Sequence, residues 1–231
     1  MERWQHTTYV EDGDPMRVAD AIVSLLRREG MQRVIESAPL STLAPDVPLL
    51  GRAMGSGAWA VAVIAGAAGW TIVKTLPLGL LGERAPASSR MRLVELASFL
   101  GTSALQVNLY EAAFLVLLEV DRQSRHLLSG YGPGSIRNPD PLYFNDEPLS
   151  EDRIDVRFEL LPLQQLIWES IRYDYAGPTL DHEQFVARLA RKLGGKNAAC
   201  CKDKWAANIL RSREPLSIEH GVTLYFERQA T

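Results

Sequence analysis

The sequence predicts an α+β protein, a mainly antiparallel sheet packed with helices, on three observations. Trp59–Ala65 is a short run apolar on both faces, and after the turn-forming Gly66-Ala67-Ala68-Gly69 the chain returns as a second strand, Trp70–Leu76, stopped by Pro77. Leu105–Tyr110, Phe114–Asp121 and Arg125–Ser129 follow as strands at spacings too short for crossover helices, so they pair antiparallel. Between these groups a helical stripe, Leu93, Leu96, Ala97 and Leu100, completes a ββαβββ core, a curved sheet with helices against one face.

Along the chain, Asp14 and Pro15 carry N-cap and first-turn signals ahead of a stripe of Val18, Ala21, Ile22, Leu25 and Leu26, with Gly30 as the stop. The stretch 37–58, with three prolines and three glycines, reads as an irregular connection. Ser88 or Ser89 is expected to open the core helix and Gly101 to close it. Residues 130–148, rich in Gly and Pro, read as a loop and as the one sub-boundary (130–150) within a single domain spanning 1–231. After it come an edge strand at Ile154–Leu160 and a helix at Leu163–Arg172. Asp181 and Gln184 form a capping box before Phe185, Val186, Leu189, Ala190 and Leu193. Gly194-Gly195 ends that helix and Asn197 caps the second of a C-terminal helical pair, with Cys201, Trp205, Ile209 and Leu210 inward. Val222–Glu227 reads as a terminal strand.

The totals bound the function classes. With 46% apolar and 23% charged residues, this is an ordinary globular composition, and net charge −3 argues against general coating of nucleic acid. The longest apolar run, Ala58–Val73, is shorter than the ~20 residues of a membrane span, so no membrane association is expected. Met1–His6 holds no apolar core of a secretory signal, and the only cysteines are the adjacent Cys200 and Cys201. A reducing, cytoplasmic location is therefore expected.

No catalytic signature is complete. The histidines His6, His126, His182 and His220 lack metal-ligand spacing, and Cys200-Cys201 lacks the gap that lets two thiolates reach one zinc. No cofactor is expected. What stands out is charge segregation: 188–213 carries eight cations against the single acid Asp203, a local +7 that leaves −10 for the remainder. Lys196, Lys202, Lys204, Arg211 and Arg213 are the candidate binding residues, with Trp205 packing beneath them. Tyr131, Tyr143 and Phe144, in the Gly/Pro loop, are candidate interface anchors. The expectation is a non-catalytic macromolecular binding protein, adaptor or inhibitor-like, whose partner is a protein with an acidic face.

Four alternatives stand beside it. The cations are a solvated face, or they are neutralised by the acidic segment 140–159, which carries seven acids against two arginines. A metal-dependent enzyme on a phosphate-containing substrate would use Glu111, Glu119 and Asp121 as ligands, with Lys74 as the only strand-borne lysine nearby. A nucleic-acid-binding accessory protein would use the helix pair alone.

Overall fold

A computed structural model of the chain describes residues 5–34, 58–86, 88–111, 114–131, 140–144, 147–148, 182–204 and 221–228. It is a mixed α+β structure. Its strands are β1 (Gln5–Val10), β2 (Met31–Val34), β3 (Ala58–Ala65), β4 (Thr71–Leu76), β5 (Ala104–Tyr110), β6 (Phe114–Val120), β7 (His126–Tyr131), β8 (Asp140–Phe144), β9 (Glu147–Pro148) and β10 (Gly221–Arg228). The helices are α1 (Pro15–Arg28), α2 (Arg92–Leu100) and α3 (His182–Gly194), with 3-10 helices at Leu80–Gly82 and Gly195–Cys201. The strands form one sheet in the order β2-β10-β3-β4-β1-β5-β6-β7-β8-β9, every neighbouring pair antiparallel.

The ββαβββ core is present as β3, β4, α2, β5, β6 and β7, but β1 separates its two halves, pairing with β4 on one side and β5 on the other. β1 and β2 were not expected as strands. The loop expected at 130–148 also contributes: β7 runs on to Tyr131, and β8 and β9 extend the sheet beyond it. Pro141, which has no N–H to donate, sits in β8 beside the register shift at Leu128/Ser129. β10 is the expected terminal strand, inserted between β2 and β3. Its first residue has φ +135°, and a Cβ there would collide with the Val63 carbonyl, so only glycine lets the strand begin against β3.

The expectation of helices on one face is corrected: both faces are covered. Ala60, Ala62, Ile64, Ile72, Leu105, Val107, Leu115 and Leu117 pack against Phe185, Val186, Leu189 and Leu193 of α3. Val61, Val63, Val73, Leu118 and Phe226 pack on the opposite side with α1 and α2. The cause is the composition of β3, apolar at every position, so that each alternate set of side chains needs its own cover.

Local signals explain the helix ends. The Asp14 carboxylate accepts from the backbone N–H groups of Met16 and Arg17, and Pro15 occupies the first turn of α1. Gly101, at φ +66°, ends α2. The start of α2 differs from expectation: the helix begins at Arg92, and Ser89 lies in the turn before it with φ +59°. Arg92 is fully buried. Its guanidinium donates twice to the Glu29 carboxylate at 2.7 Å, to the Leu80 carbonyl at 3.1 Å and to Glu83 at 3.5 Å, and lies over the Trp59 ring. This joins the end of α1 to the start of α2 beneath the sheet. The expected strand 154–160, the helix 163–172 and the cap Asp181 lie outside the described residues. Among the described residues no helix is long and apolar enough to cross a membrane.

Candidate functional site

β1 and β4 part company early. Their ladder stops at Thr8↔Val73, leaving the backbone of His6 and the start of β1 without β4 as a partner. A buried backbone group must be paired elsewhere. Here the pairing comes from far along the chain: the His6 N–H donates to Asp203 Oδ1 at 2.9 Å, and the His6 carbonyl accepts from Lys74 Nζ. Asp203 therefore fills the gap where the two strands separate.

Lys74 lies at the centre of the arrangement with 0% exposure. Besides His6 O, its ammonium reaches Asp203 Oδ1 at 2.6 Å, the Cys201 carbonyl at 2.6 Å and Thr7 Oγ1 at 3.1 Å. Four acceptors exceed its three N–H groups, so no donor is wasted. Asp203 Oδ2 meets His6 Nδ1 at 2.9 Å, and the His6 ring packs edge-on to Tyr110. Burial alone would raise the Asp203 carboxyl, but the Lys74 charge and the His6 donors outweigh it and hold the group below its ordinary range. Burial raises Tyr110, with the charges of Asp203 and Glu83 adding to the effect.

The segment bearing Asp203 is docked by α3 and the 3-10 helix behind it. The backbone N–H of Ala67 donates to the Leu193 carbonyl at 2.7 Å, and a Cβ on Gly66 would sit 2.5 Å from that same oxygen, so the β3–β4 turn admits α3 because residue 66 is glycine. Asn197 was expected to cap a second helix. It lies instead inside the 3-10 helix Gly195–Cys201, its side chain donating to the Ala65 carbonyl at 2.7 Å. Thr7 Oγ1 donates to the Cys201 carbonyl at 2.8 Å, and the Tyr9 hydroxyl contacts Cys201 Sγ at 3.4 Å. Both cysteines are free thiols. Burial raises both, Cys200 to about 11, which leaves neither a ready nucleophile.

At Lys202 the backbone turns extended, φ −74° and ψ 135°. Extended geometry sends successive side chains to opposite sides. Lys202 is accordingly exposed between the buried Cys201 and Asp203; the chain turns helical at Asp203, and Lys204 is exposed as well. Of the expected binding residues, Lys196 is exposed as well, as are Arg191 and Lys192 on α3, while Arg188 is half-buried. Arg211, Arg213 and Trp205 lie outside the described residues. Tyr131 is corrected: it is the last residue of β7, 2% exposed, within the core under α3, because the strand continues further than the sequence pattern implied. Tyr143 and Phe144 lie on the backbone of β8, and their side chains are outside the description.

The ligand set expected of a metal enzyme does not come together. Glu111 follows the end of β5 where Tyr110 pairs with Phe114, whereas Glu119 pairs with Leu105. Five residues of strand, about 17 Å at ~3.4 Å each, separate those positions. The Asp121 carboxylate closes its own turn, accepting from the Gln123 and Arg125 backbones and from the Arg125 guanidinium. Among the described residues no group of three or more His, Cys, Asp or Glu is placed to hold a metal ion. Lys74, the strand-borne lysine of that alternative, is occupied by Asp203.

Sequence reasoning passed over Asp203 and His6. The signal that points to them is Lys74 itself, a lone cation in an otherwise uncharged strand, which when buried requires an anion. No protein-family model, curated protein or solved structure matches this chain.

Proposed function

We propose that this chain is a non-catalytic macromolecular binding protein, adaptor or inhibitor-like, whose α3 and 3-10 segment presents a positive ridge to a protein with an acidic face. One observation carries it. Within 188–204, Arg191, Lys192, Lys196, Lys202 and Lys204 are exposed, while the single acid, Asp203, is buried against Lys74, a cation from outside the segment. The negative charge that would have tempered the ridge is thus neutralised internally. A surface of one sign steers an oppositely charged partner toward it and speeds association. In this reading Arg211 and Arg213 add to the positive charge offered to the partner, and Tyr143 and Phe144 supply apolar anchors. A cytoplasmic location accords with the two free cysteines.

The test uses fluorescein-labelled oligoglutamate as the acidic-protein probe and a labelled DNA duplex as its rival, each titrated by anisotropy at low and at physiological salt. Wild type should bind oligoglutamate in a salt-sensitive manner. The triple variant Lys196→Glu, Lys202→Glu and Lys204→Glu should lose that binding yet melt like wild type, since exposed substitutions cost within about 0.5 kcal/mol each. Equal binding by wild type and variant overturns the ridge. Tighter binding of the duplex at matched salt replaces the acidic protein by nucleic acid.

A further inference from the structure

We infer that Asp203, gripped by Lys74 and His6, is the positioning residue of the ridge: it fixes Lys202 and Lys204 in a partner-ready orientation, an assignment that rests on the binding reading above. The geometry is direct. The extended backbone at Lys202 makes the two exposed lysines the immediate neighbours of a side chain inserted in the sheet. That side chain has bonds on both oxygens, Oδ1 to Lys74 Nζ and the His6 N–H, Oδ2 to His6 Nδ1. The carbonyl of Cys201, two residues earlier, is held by Thr7 and Lys74. The main chain under the lysines is thereby tied at residues 201 and 203 to two strands.

Flexible lysines lose freedom on binding, and each one held in place beforehand loses less. A segment freed from the sheet would carry the same charges at the same count and bind more weakly. The acid between the lysines is therefore a part of the binding surface that faces away from it.

Two charge-matched double variants separate orientation from charge. Lys74→Met with Asp203→Leu removes one cation and one anion, so net charge is unchanged, and it deletes every acceptor offered to His6. Lys74→Met with Asp203→Asn has the same net charge but retains a carbonyl oxygen for the His6 N–H. Amide hydrogen exchange at 201–204 and oligoglutamate affinity are measured for both. The leucine variant should exchange faster there and bind about fivefold more weakly or worse, while the asparagine variant should remain within about twofold of wild type. A leucine variant that exchanges faster and binds as wild type does overturns the assignment, as do two variants weakened equally. Asp203→Glu, which preserves the charge and lengthens the arm by one methylene, carries the same test if the leucine variant does not fold: faster exchange at 201–204 with weaker binding supports the assignment, and faster exchange with wild-type affinity would overturn it. Failure of wild type itself to bind oligoglutamate is a separate result and removes the binding reading.

Discussion

Two buried cations hold this molecule together in different ways. Arg92 lies on the face covered by α1 and α2, and its partners, Glu29, Leu80 and Glu83, come from neighbouring elements of one layer. It sits at the N-terminal end of α2 and Glu29 at the C-terminal end of α1, each at the helix terminus whose dipole disfavours it, and each neutralises the other. The planar guanidinium fork suits a bidentate carboxylate. Lys74 instead gathers a carboxylate, a hydroxyl and two backbone carbonyls around a compact ammonium, and its partner Asp203 also bonds a residue 197 positions away. One cation fastens a layer to itself. The other repairs a gap between strands using a distant piece of chain, and so decides where that piece docks.

The largest effect should separate the two. Asp203→Ala leaves the Lys74 ammonium buried without its carboxylate and should cost about 3–5 kcal/mol by urea unfolding. Glu29→Ala should cost less, about 2–3 kcal/mol, because Glu83 and the Trp59 ring remain beside Arg92. Equal losses would mean that the reserve partners of Arg92 do nothing.

Acid should move the two centres in opposite directions. The folded Asp203 carboxyl lies below its unfolded value, so its contribution is fully present above about pH 5 and fades as pH falls through ~4 toward the folded value. Glu83 is raised, by burial first, with Arg92 pulling only part of the way back. Its contribution is present below the unfolded value of ~4.3 and is lost as pH rises through the folded one. Urea unfolding across pH 3–7 should therefore show wild type losing ground to Glu83→Gln as pH rises, and losing ground to the Lys74→Met, Asp203→Leu double variant as pH falls. A pH-independent difference in either pair would refute that sign.

The smallest effect lies at the edge of the lysine centre. Tyr9→Phe deletes only a hydroxyl whose partner is a thiol, a weak acceptor, and should cost about 0.5–1 kcal/mol in thermal unfolding. A loss as large as that of Asp203→Ala would place the centre's strength in its neutral contacts.

The apolar strands were legible because each run is uniform and bounded by turn residues. β1 was not: Gln5-His6-Thr7-Thr8-Tyr9-Val10 mixes polar and apolar side chains because one end packs in the core and the other lines the gap around Lys74. Thr7, Thr8, Tyr9 and Val10 are nonetheless strong strand formers, and that signal was present. Asp203 was illegible for a different reason. A lone acid among lysines reads as part of a solvated face, and only the fold brings it to Lys74, 129 residues earlier. Tyr131 misled because Gly130 and the glycines after it suggested a turn where the strand continues.

The place of β10 in the sheet has a consequence for synthesis. Residues 221–228 are made after every other described strand, yet they lie between β2 and β3 and supply, among the described residues, the sole neighbour of β2. While the ribosome is still working through the preceding residues, β3 exposes an open hydrogen-bonding edge of almost wholly apolar composition, and β2 lacks the partner that β10 supplies. Such an edge invites pairing with other nascent chains. Expression of this protein should therefore depend on chaperones that shield the β3 edge until translation has passed Arg228.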